Sequence, residues 1–90
     1  MNFVHEANQI VLYNDEKQMI AEVTFPRIDD NTVNINHTFV DDSLRGQGVA
    51  SKLMEAAAIH IRKDGKKAVL TCSYAINWFK KHEEFKDIVA

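Results

Sequence analysis

Two of the three glycines in this 90-residue chain, Gly46 and Gly48, limit the possible folds more than any other feature. Apolar and polar residues alternate before them, over positions 33 to 39, which is typical of a half-buried strand. Apolar residues recur at steps of four after them, over positions 49 to 61, which is typical of an amphipathic helix. The glycines therefore lie at a corner between a strand and a helix.

The start of this helix is a candidate anion site. Its first amides have no intrahelical acceptor, and the positive end of the helix dipole attracts negative charge. The glycines alone are equally consistent with a tight corner that binds nothing. Arg45 adds a permanent cation beside the amides, and this favours a backbone site for a phosphate-containing ligand.

Two common nucleotide motifs do not match this corner. A dinucleotide-binding motif needs glycine or alanine where this chain has Ser51, and the strand after the helix lacks the acidic residue that binds the ribose. A P-loop needs a Gly-Lys-Ser/Thr triplet, whereas Ser51 here precedes Lys52. NAD and ATP are therefore disfavoured.

The remaining pattern predicts an α+β fold with a mixed sheet. Strands are expected over residues 10–13, 19–25 and 33–39, with breaks at 14–17 and 26–31, as an antiparallel meander. The helix ends near Gly65, and a strand over 68–72 completes a strand-helix-strand crossover. Apolar residues spaced as on a helix face predict a short C-terminal helix over 75–82. We expect one domain spanning residues 1–90.

Composition excludes several function classes. The net charge of −2 is spread along the chain without a basic stripe, so nucleic acid is not an expected partner. Cys72 is the only cysteine, and no apolar run is long enough to cross a membrane, so we expect a cytoplasmic protein. His5, His60 and His82 have no metal-ligand spacing, and no metal site is predicted.

The corner resembles the acyl-CoA loop of the GNAT superfamily of N-acetyltransferases. Arg45-x-x-Gly48-x-Ala50 matches the pattern Gln/Arg-x-x-Gly-x-Gly/Ala between a strand and a long helix. The segments over residues 36–40, 44–53 and 71–74 look like the small, stand-alone, single-domain branch of that superfamily. The resemblance extends from about residue 33 to the C-terminus.

This resemblance implies a cofactor, acetyl-CoA, and a place for it. The strand that ends at Phe39 and Val40 would splay from its parallel neighbour and pair with the pantetheine arm. The pyrophosphate would meet the amides of residues 47–50, with side-chain contacts from Gln47 and Ser51. The expected cofactor-binding residues are Thr38, Phe39, Val40, Arg45, Gly46, Gln47, Gly48, Val49, Ala50 and Ser51.

Three residues are candidates for the chemistry of acetyl transfer. His37, placed by the alternation on the face of Val33, Ile35 and Phe39, is the candidate base. Cys72 is a candidate nucleophile, or the acid that replaces a tyrosine which the superfamily often has where this chain has Phe79. Tyr74 is a second candidate proton donor. The alternatives are a histidine that bonds only backbone, a buried cysteine, and a tyrosine that packs against the last helix.

The sequence thus predicts an N-acetyltransferase that moves acetyl from acetyl-CoA to a primary amine of a small molecule or protein. The amine is not identified, and the protein is expected to be a monomer or weak dimer. Phe79 and the missing acceptor-pocket helices leave open an alternative, a non-catalytic module that binds or senses acyl-CoA.

Overall fold

The computed structural model describes residues 2–90, which contain seven strands and two α-helices. Short 3₁₀ segments, Asp42–Leu44 and Glu83–Ile88, precede the first helix and follow the second. The strands are β1 (Phe3–Glu6), β2 (Gln9–Tyr13), β3 (Met19–Thr24), β4 (Arg27–Asp29), β5 (Thr32–Ile35), β6 (His37–Val40) and β7 (Lys67–Leu70). The helices are α1 (Val49–Lys63) and α2 (Ser73–Lys81).

The sheet is built on two long strand paths, each broken once. β3 and β4 form the first path, which is interrupted around Pro26, a residue without an amide proton to donate to a ladder. β5 and β6 form the second path, which is interrupted at Asn36. The two paths pair antiparallel, β3 with β6 and β4 with β5, while β7 pairs in parallel with β5 and its Ala68 forms a parallel bridge with Val89. The interruptions divide the strands into a four-stranded sheet, β1-β2-β3-β6, and a three-stranded sheet, β4-β5-β7. β1 and β2 extend the sheet beyond β3.

This topology confirms the predicted fold class. An antiparallel meander leads into a crossover from β5 through α1 to the parallel strand β7, and α2 follows. Three local predictions were wrong. The expected break over 26–31 contains β4, β1 was not predicted, and the strand expected over 68–72 ends at Leu70.

One apolar core joins the sheet to both helices. α1 turns one face to it because its apolar residues lie three or four positions apart. Each large side chain removed from water contributes roughly 1.5–3 kcal/mol. Completely buried core residues include Ile10, Ala21, Val23, Ile35, Leu53, Met54, Ala57, Ala58, Ala68 and Ala75.

The last residues of the chain pack against α1. Phe85 and Ile88 are buried in the core. Arg62 lies over the Phe85 ring, 4.6 Å from its centroid, and its guanidinium is paired with the Asp87 carboxylate. Neither helix in residues 2–90 has the length and apolar character needed to span a membrane.

Candidate functional site

The start of α1 presents a group of unpaired amides. Among residues 2–90, the backbone N–H groups of Gly46, Gly48, Val49 and Ala50 have no hydrogen-bond acceptor. Gly48 is the N-cap of α1, and its φ of +68° lies in the left-handed region that glycine adopts readily. As a glycine, it has no side chain to cap the first amides of the helix. No atom lies within 4 Å of the position that a Gly48 Cβ would occupy. There is therefore open space beside the α-carbon of Gly48, at the start of the helix.

Two predicted contributors to this anion site are engaged elsewhere. The Gln47 amide donates to the Leu44 carbonyl at 3.3 Å, so Gln47 cannot offer this group to a phosphate without losing that bond. The Arg45 guanidinium bonds the Asp42 carboxylate at 2.9 Å, and both side chains are at least 80% exposed. An exposed pair of this kind is weak, so the guanidinium can exchange its partner for a phosphate at little cost.

The cleft begins where β6 leaves β7. The amides of Thr71 and Cys72 both donate to the Ile35 carbonyl, at 3.1 Å each, and the parallel pairing ends there. β6 then pairs with β3 alone. The Asp41 amide donates to Ile20, and hydrogen-bonded positions alternate along an antiparallel strand. The backbone groups of Thr38 and Val40 therefore point away from β3, along the free edge of β6.

Cys72 lies at the root of this cleft rather than at a strand end. It is the N-cap of α2, and its Sγ is 3.5 Å from Thr38 Oγ1. Burial raises the pKa of the Cys72 thiol, but the Thr38 hydroxyl and the amides of Ala75, Tyr74 and Thr38 outweigh it, so the pKa is lowered overall. Cys72 Sγ makes no capping hydrogen bond to the first amides of α2. Those amides instead favour the thiolate through their dipoles.

His37 lies on the opposite side of β6 from its expected position. The interruption at Asn36 inserts one residue into the alternation, so Thr38 and Val40 continue the inward face of Ile35, while His37 and Phe39 are exposed. His37 Nε2 lies 3.3 Å from Glu22 Oε2. The side chain of His37 is 53% exposed and that of Glu22 is 21% exposed. The imidazole thus has a carboxylate to orient it.

A pocket of 240 Å³ opens between the first turn of α1 and the outer side of α2. Its floor is the buried Trp78 ring, whose Nε1 donates to Ser51 Oγ at 2.9 Å. The His82 ring stacks on Trp78, with centroids 3.8 Å apart and planes 10° apart. Burial raises the pKa of Tyr74, although Ser51 opposes this with a hydrogen bond. The lining residues are Ser51, Tyr74, Asn77, Trp78, Lys81 and His82.

A family model described as GCN5-related N-acetyl-transferase matches residues 9–88 of this chain. The chain belongs to the GCN5-related N-acetyltransferase family. The matched residues contain the glycine corner, the diverging strands and α2. The match thus includes the parts of the fold that form the candidate site.

Three known proteins illustrate the relationship. Protein NATD1 of Xenopus tropicalis is 34% identical over 62 residues, which are 69% of this chain and 57% of that protein. The chain therefore spans little more than half the length of this relative. A GCN5-like protein from Staphylococcus aureus, solved in solution, is 34% identical with a TM-score of 0.80, covering 99% of this chain and 87% of that one. YhbS of Escherichia coli, solved in complex with CoA, is 28% identical with a TM-score of 0.57, covering 64% and 35% respectively.

The groups of this N-acetyltransferase domain fit a CoA molecule. The unpaired amides of Gly46, Gly48, Val49 and Ala50 are donors without acceptors, which suits a pyrophosphate. The free edge of β6 offers backbone donors and acceptors to the amides of a pantetheine arm, as an added strand does. Both features lie at the end of the sheet where β6 leads to α1.

The candidate catalytic residues fall into two groups. Cys72 and Tyr74 lie together at the start of α2, with Thr38 beside the thiol. His37 lies apart from them, on the outer face of β6 with Glu22. Sequence reasoning missed Glu22, although its place between Ala21 and Val23 puts it on the polar face of the strand. It also missed Trp78 and His82 as pocket residues, because a helical pattern does not reveal what covers each face.

Proposed function

We propose that this domain transfers the acetyl group of acetyl-CoA to a primary amine on a small molecule or an exposed protein side chain. One observation carries the proposal: four amides without acceptors lie at the start of α1, beside a free strand edge. The first amides of a helix have no intrahelical acceptor, and the positive end of the helix dipole favours an anionic ligand there. An anionic ligand that also extends along a strand matches both features.

The residues that would hold the cofactor follow from this geometry. Gly48, Val49 and Ala50 would bind the pyrophosphate through their amides, with Gly46 beside them. Arg45 would add its guanidinium after leaving Asp42. Thr38 and Val40 would pair with the pantetheine arm through backbone groups. Phe39 points its side chain to the other face of β6 and its backbone groups toward β3, so it would lie beside the arm without a hydrogen bond to it.

The chemistry requires a neutral amine, and His37 would be the base that produces it by removing a proton. Bound acetyl-CoA supplies an acetyl group activated as a thioester. The His37 imidazole would take the proton from the ammonium form of the acceptor before the neutral amine attacks the thioester carbonyl, with Glu22 holding the ring. His37 and Glu22 lie on an exposed face of the sheet, so an acceptor attached to a protein can approach them.

Cys72 has two roles open to it. In direct transfer, the amine displaces the CoA thiolate, and the Cys72 thiol or the Tyr74 hydroxyl donates a proton to that leaving thiolate. In stepwise transfer, the Cys72 thiolate attacks the thioester carbonyl, CoA leaves as a thiolate, and the amine then takes the acetyl group from acetyl-Cys72, regenerating the thiolate. The lowered pKa of Cys72 favours its service as a nucleophile.

A second candidate function is a module that binds acyl-CoA without transferring it. Phe79, which occupies the position of the superfamily's tyrosine, is buried in the core and has no proton to donate. Proton donation to the leaving thiolate would then depend on Cys72 or Tyr74. If neither serves as an acid or a nucleophile, the domain would bind the thioester without cleaving it.

A single-turnover experiment separates the two candidates. Protein in excess over acetyl-CoA is mixed with small amines and lysine-containing peptides, and free CoA thiol is measured against time. The enzyme is expected to release thiol at a rate that depends on the acceptor. Retention of intact acetyl-CoA with every acceptor, while binding persists, would favour the module. Mass spectrometry of the intact protein without acceptor then tests for one acetyl group, with Cys72→Ser as the control.

A further inference from the structure

α1 packs on the four-stranded sheet β1-β2-β3-β6 and covers one of its two faces. Successive side chains of a strand point to opposite faces, and the buried residues Ile10, Ala21 and Val23 lie on the side of α1. The opposite side, the outer face, contains two rows of residues that run across the strands. One row is Val4, Val11, Glu22 and Phe39, and the other begins at Glu6 and ends at His37.

Exposed apolar side chains are concentrated on the outer face. Tyr13 pairs with Met19 across an irregularity that turns the intervening Ile20 toward the core, so both extend the outer face. Four of the eight large hydrophobic residues exposed among residues 2–90 lie on it, namely Val4, Tyr13, Met19 and Phe39. Val11 is buried, yet it lies outside the main core cluster and among these side chains. An exposed apolar area of this kind marks an interaction surface.

The fixed charge of the outer face is negative. Its carboxylates are those of Glu6 and Glu22, and the four strands contain no lysine or arginine, although 11 of the 90 residues are basic. Glu6 and His37 stand at the two ends of one row, and Glu22 lies in the next row beside His37. A partner that is both apolar and cationic therefore complements this face in both properties.

A second copy of the chain is a poor occupant of the outer face. In a symmetric dimer the same patch lies on both sides of the interface, so the carboxylates of Glu6 and Glu22 would meet their own kind without a lysine or arginine of these strands to neutralise them. An acceptor polypeptide matches the face better. The face already holds the His37 imidazole and the Glu22 carboxylate, 3.3 Å apart, which would deprotonate an arriving amine.

We propose that the outer face docks the acceptor, and that the acceptor is a polypeptide segment in which lysine or arginine is combined with apolar side chains. The inference rests on the proposed function, because it takes His37 as the base that deprotonates the amine. Apolar side chains of the segment cover Val4, Tyr13 and Phe39, and a basic side chain lies near Glu6. The inference narrows the acceptor from any primary amine to an amine of a polypeptide.

An NMR titration of the protein with two peptides tests this proposal without relying on catalysis. One peptide alternates leucine with lysine and arginine, and the other has glutamate in place of every basic residue. The basic peptide is expected to shift the backbone amide resonances of β1, β2, β3 and β6, and to bind more weakly as salt is added. The acidic peptide is expected to bind at least about tenfold more weakly than the basic one.

Two matched pairs of variants test the surface itself. Glu6→Gln is expected to weaken binding of the basic peptide about two- to fivefold, as the loss of one exposed ion pair does. Glu55→Gln, at an exposed glutamate of α1, is its control. Val4→Ser is expected to weaken binding about threefold by removing apolar contact. Ile59→Ser is its control, because Ile59 lies on α1 and is 40% exposed, against 43% for Val4.

The outcomes distinguish the inference from the function on which it rests. Resonance shifts confined to the helices, equal affinity for the two peptides, or equal effects of Glu6→Gln and Glu55→Gln would overturn the inference. A dimer in sedimentation velocity that Val4→Ser dissociates would overturn it as well, because a second copy would then occupy the face. Each of these results leaves the proposed function standing while small amines still promote release of CoA thiol. Absence of thiol release with every acceptor, peptides included, would overturn the proposed function and the inference together.

Discussion

Thr38 Oγ1 and Cys72 Sγ lie 3.5 Å apart where β6 and β7 diverge, so that a strand and a helix N-cap meet at the root of the cleft. The contact joins the free edge of β6 to the start of α2. It brings a hydroxyl, a thiol and the first amides of a helix to one place.

Thr38→Val is expected to raise the pKa of the Cys72 thiol. Burial favours the neutral thiol, and the Thr38 hydroxyl is the largest influence that opposes it, so removing the hydroxyl shifts the balance toward the thiol. The measurement is the rate of iodoacetamide alkylation against pH. Thr71→Val is the matched control, because the Thr71 hydroxyl bonds Asn34 instead. Superimposable pH profiles for wild type and Thr38→Val would contradict the assignment.

His37→Ala is expected to lower turnover about 100-fold while leaving CoA affinity unchanged, as the loss of a general base does. His37 lies on the outer face of β6 with Glu22, away from the amides of α1. Rates with a saturating amine and calorimetric CoA affinities are compared. Glu22→Gln is expected to produce a smaller loss of the same kind, because it only misorients the ring. A drop in CoA affinity equal to the drop in turnover would place His37 in the cofactor site instead.

Ser51→Ala is expected to destabilise the fold by about 1–3 kcal/mol, the cost of leaving a buried donor without an acceptor. The donor is the indole Nε1 of Trp78, which lies 2.9 Å from Ser51 Oγ. Urea unfolding followed by tryptophan fluorescence measures the change. Ser51→Thr, which keeps a hydroxyl, and Ser73→Ala, at an exposed position of α2, are the controls. If Ser51→Ala lowered the free energy of unfolding no more than Ser73→Ala does, the hydrogen bond between Trp78 and Ser51 would contribute nothing to stability.

Asp87→Asn is expected to destabilise the fold at neutral pH and to have no effect in strong acid. The Arg62 guanidinium lowers the pKa of Asp87, so the unfolded chain takes up the proton at a higher pH than the folded chain. The stabilisation is therefore complete above about pH 4 and disappears as the pH falls through the lowered folded pKa. Melting temperatures of both proteins from pH 7 to pH 2 provide the measurement. A difference that stays constant with pH would contradict the account.

Much of the fold follows from periodicity, and its errors come from irregular positions. α1 was predicted over its full length because its apolar residues are regular and Gly65 follows them. β1 and β4 were missed because their residues are mostly exposed and carry no alternation. Strict alternation also placed His37 on the buried face. The extra residue at Asn36 moves His37 to the exposed face of the strand. The alternation of apolar and polar residues in the sequence does not reveal such an insertion.

The site was predictable as far as it depends on backbone. Unpaired amides follow from a glycine corner before a long helix, and Gly48 was located in this way. Side-chain pairings depended on tertiary contacts: Glu22 with His37 across two strands, and Ser51 with Trp78 across two helices. Arg45 was predicted to lie beside the amides, which stays a prediction, and its pairing with Asp42 depends on a 3₁₀ segment that was not predicted from the sequence.

The most direct test of acyl-CoA binding at α1 compares Gly48→Asp with Gly48→Asn by calorimetry. The two side chains have nearly the same shape, both tolerate the left-handed conformation at φ +68°, and no atom lies within 4 Å of the added Cβ. Because a carboxylate repels a diphosphate, Gly48→Asp is expected to bind CoA at least about tenfold more weakly than Gly48→Asn. Equal CoA affinity for the two variants would show that the diphosphate lies elsewhere.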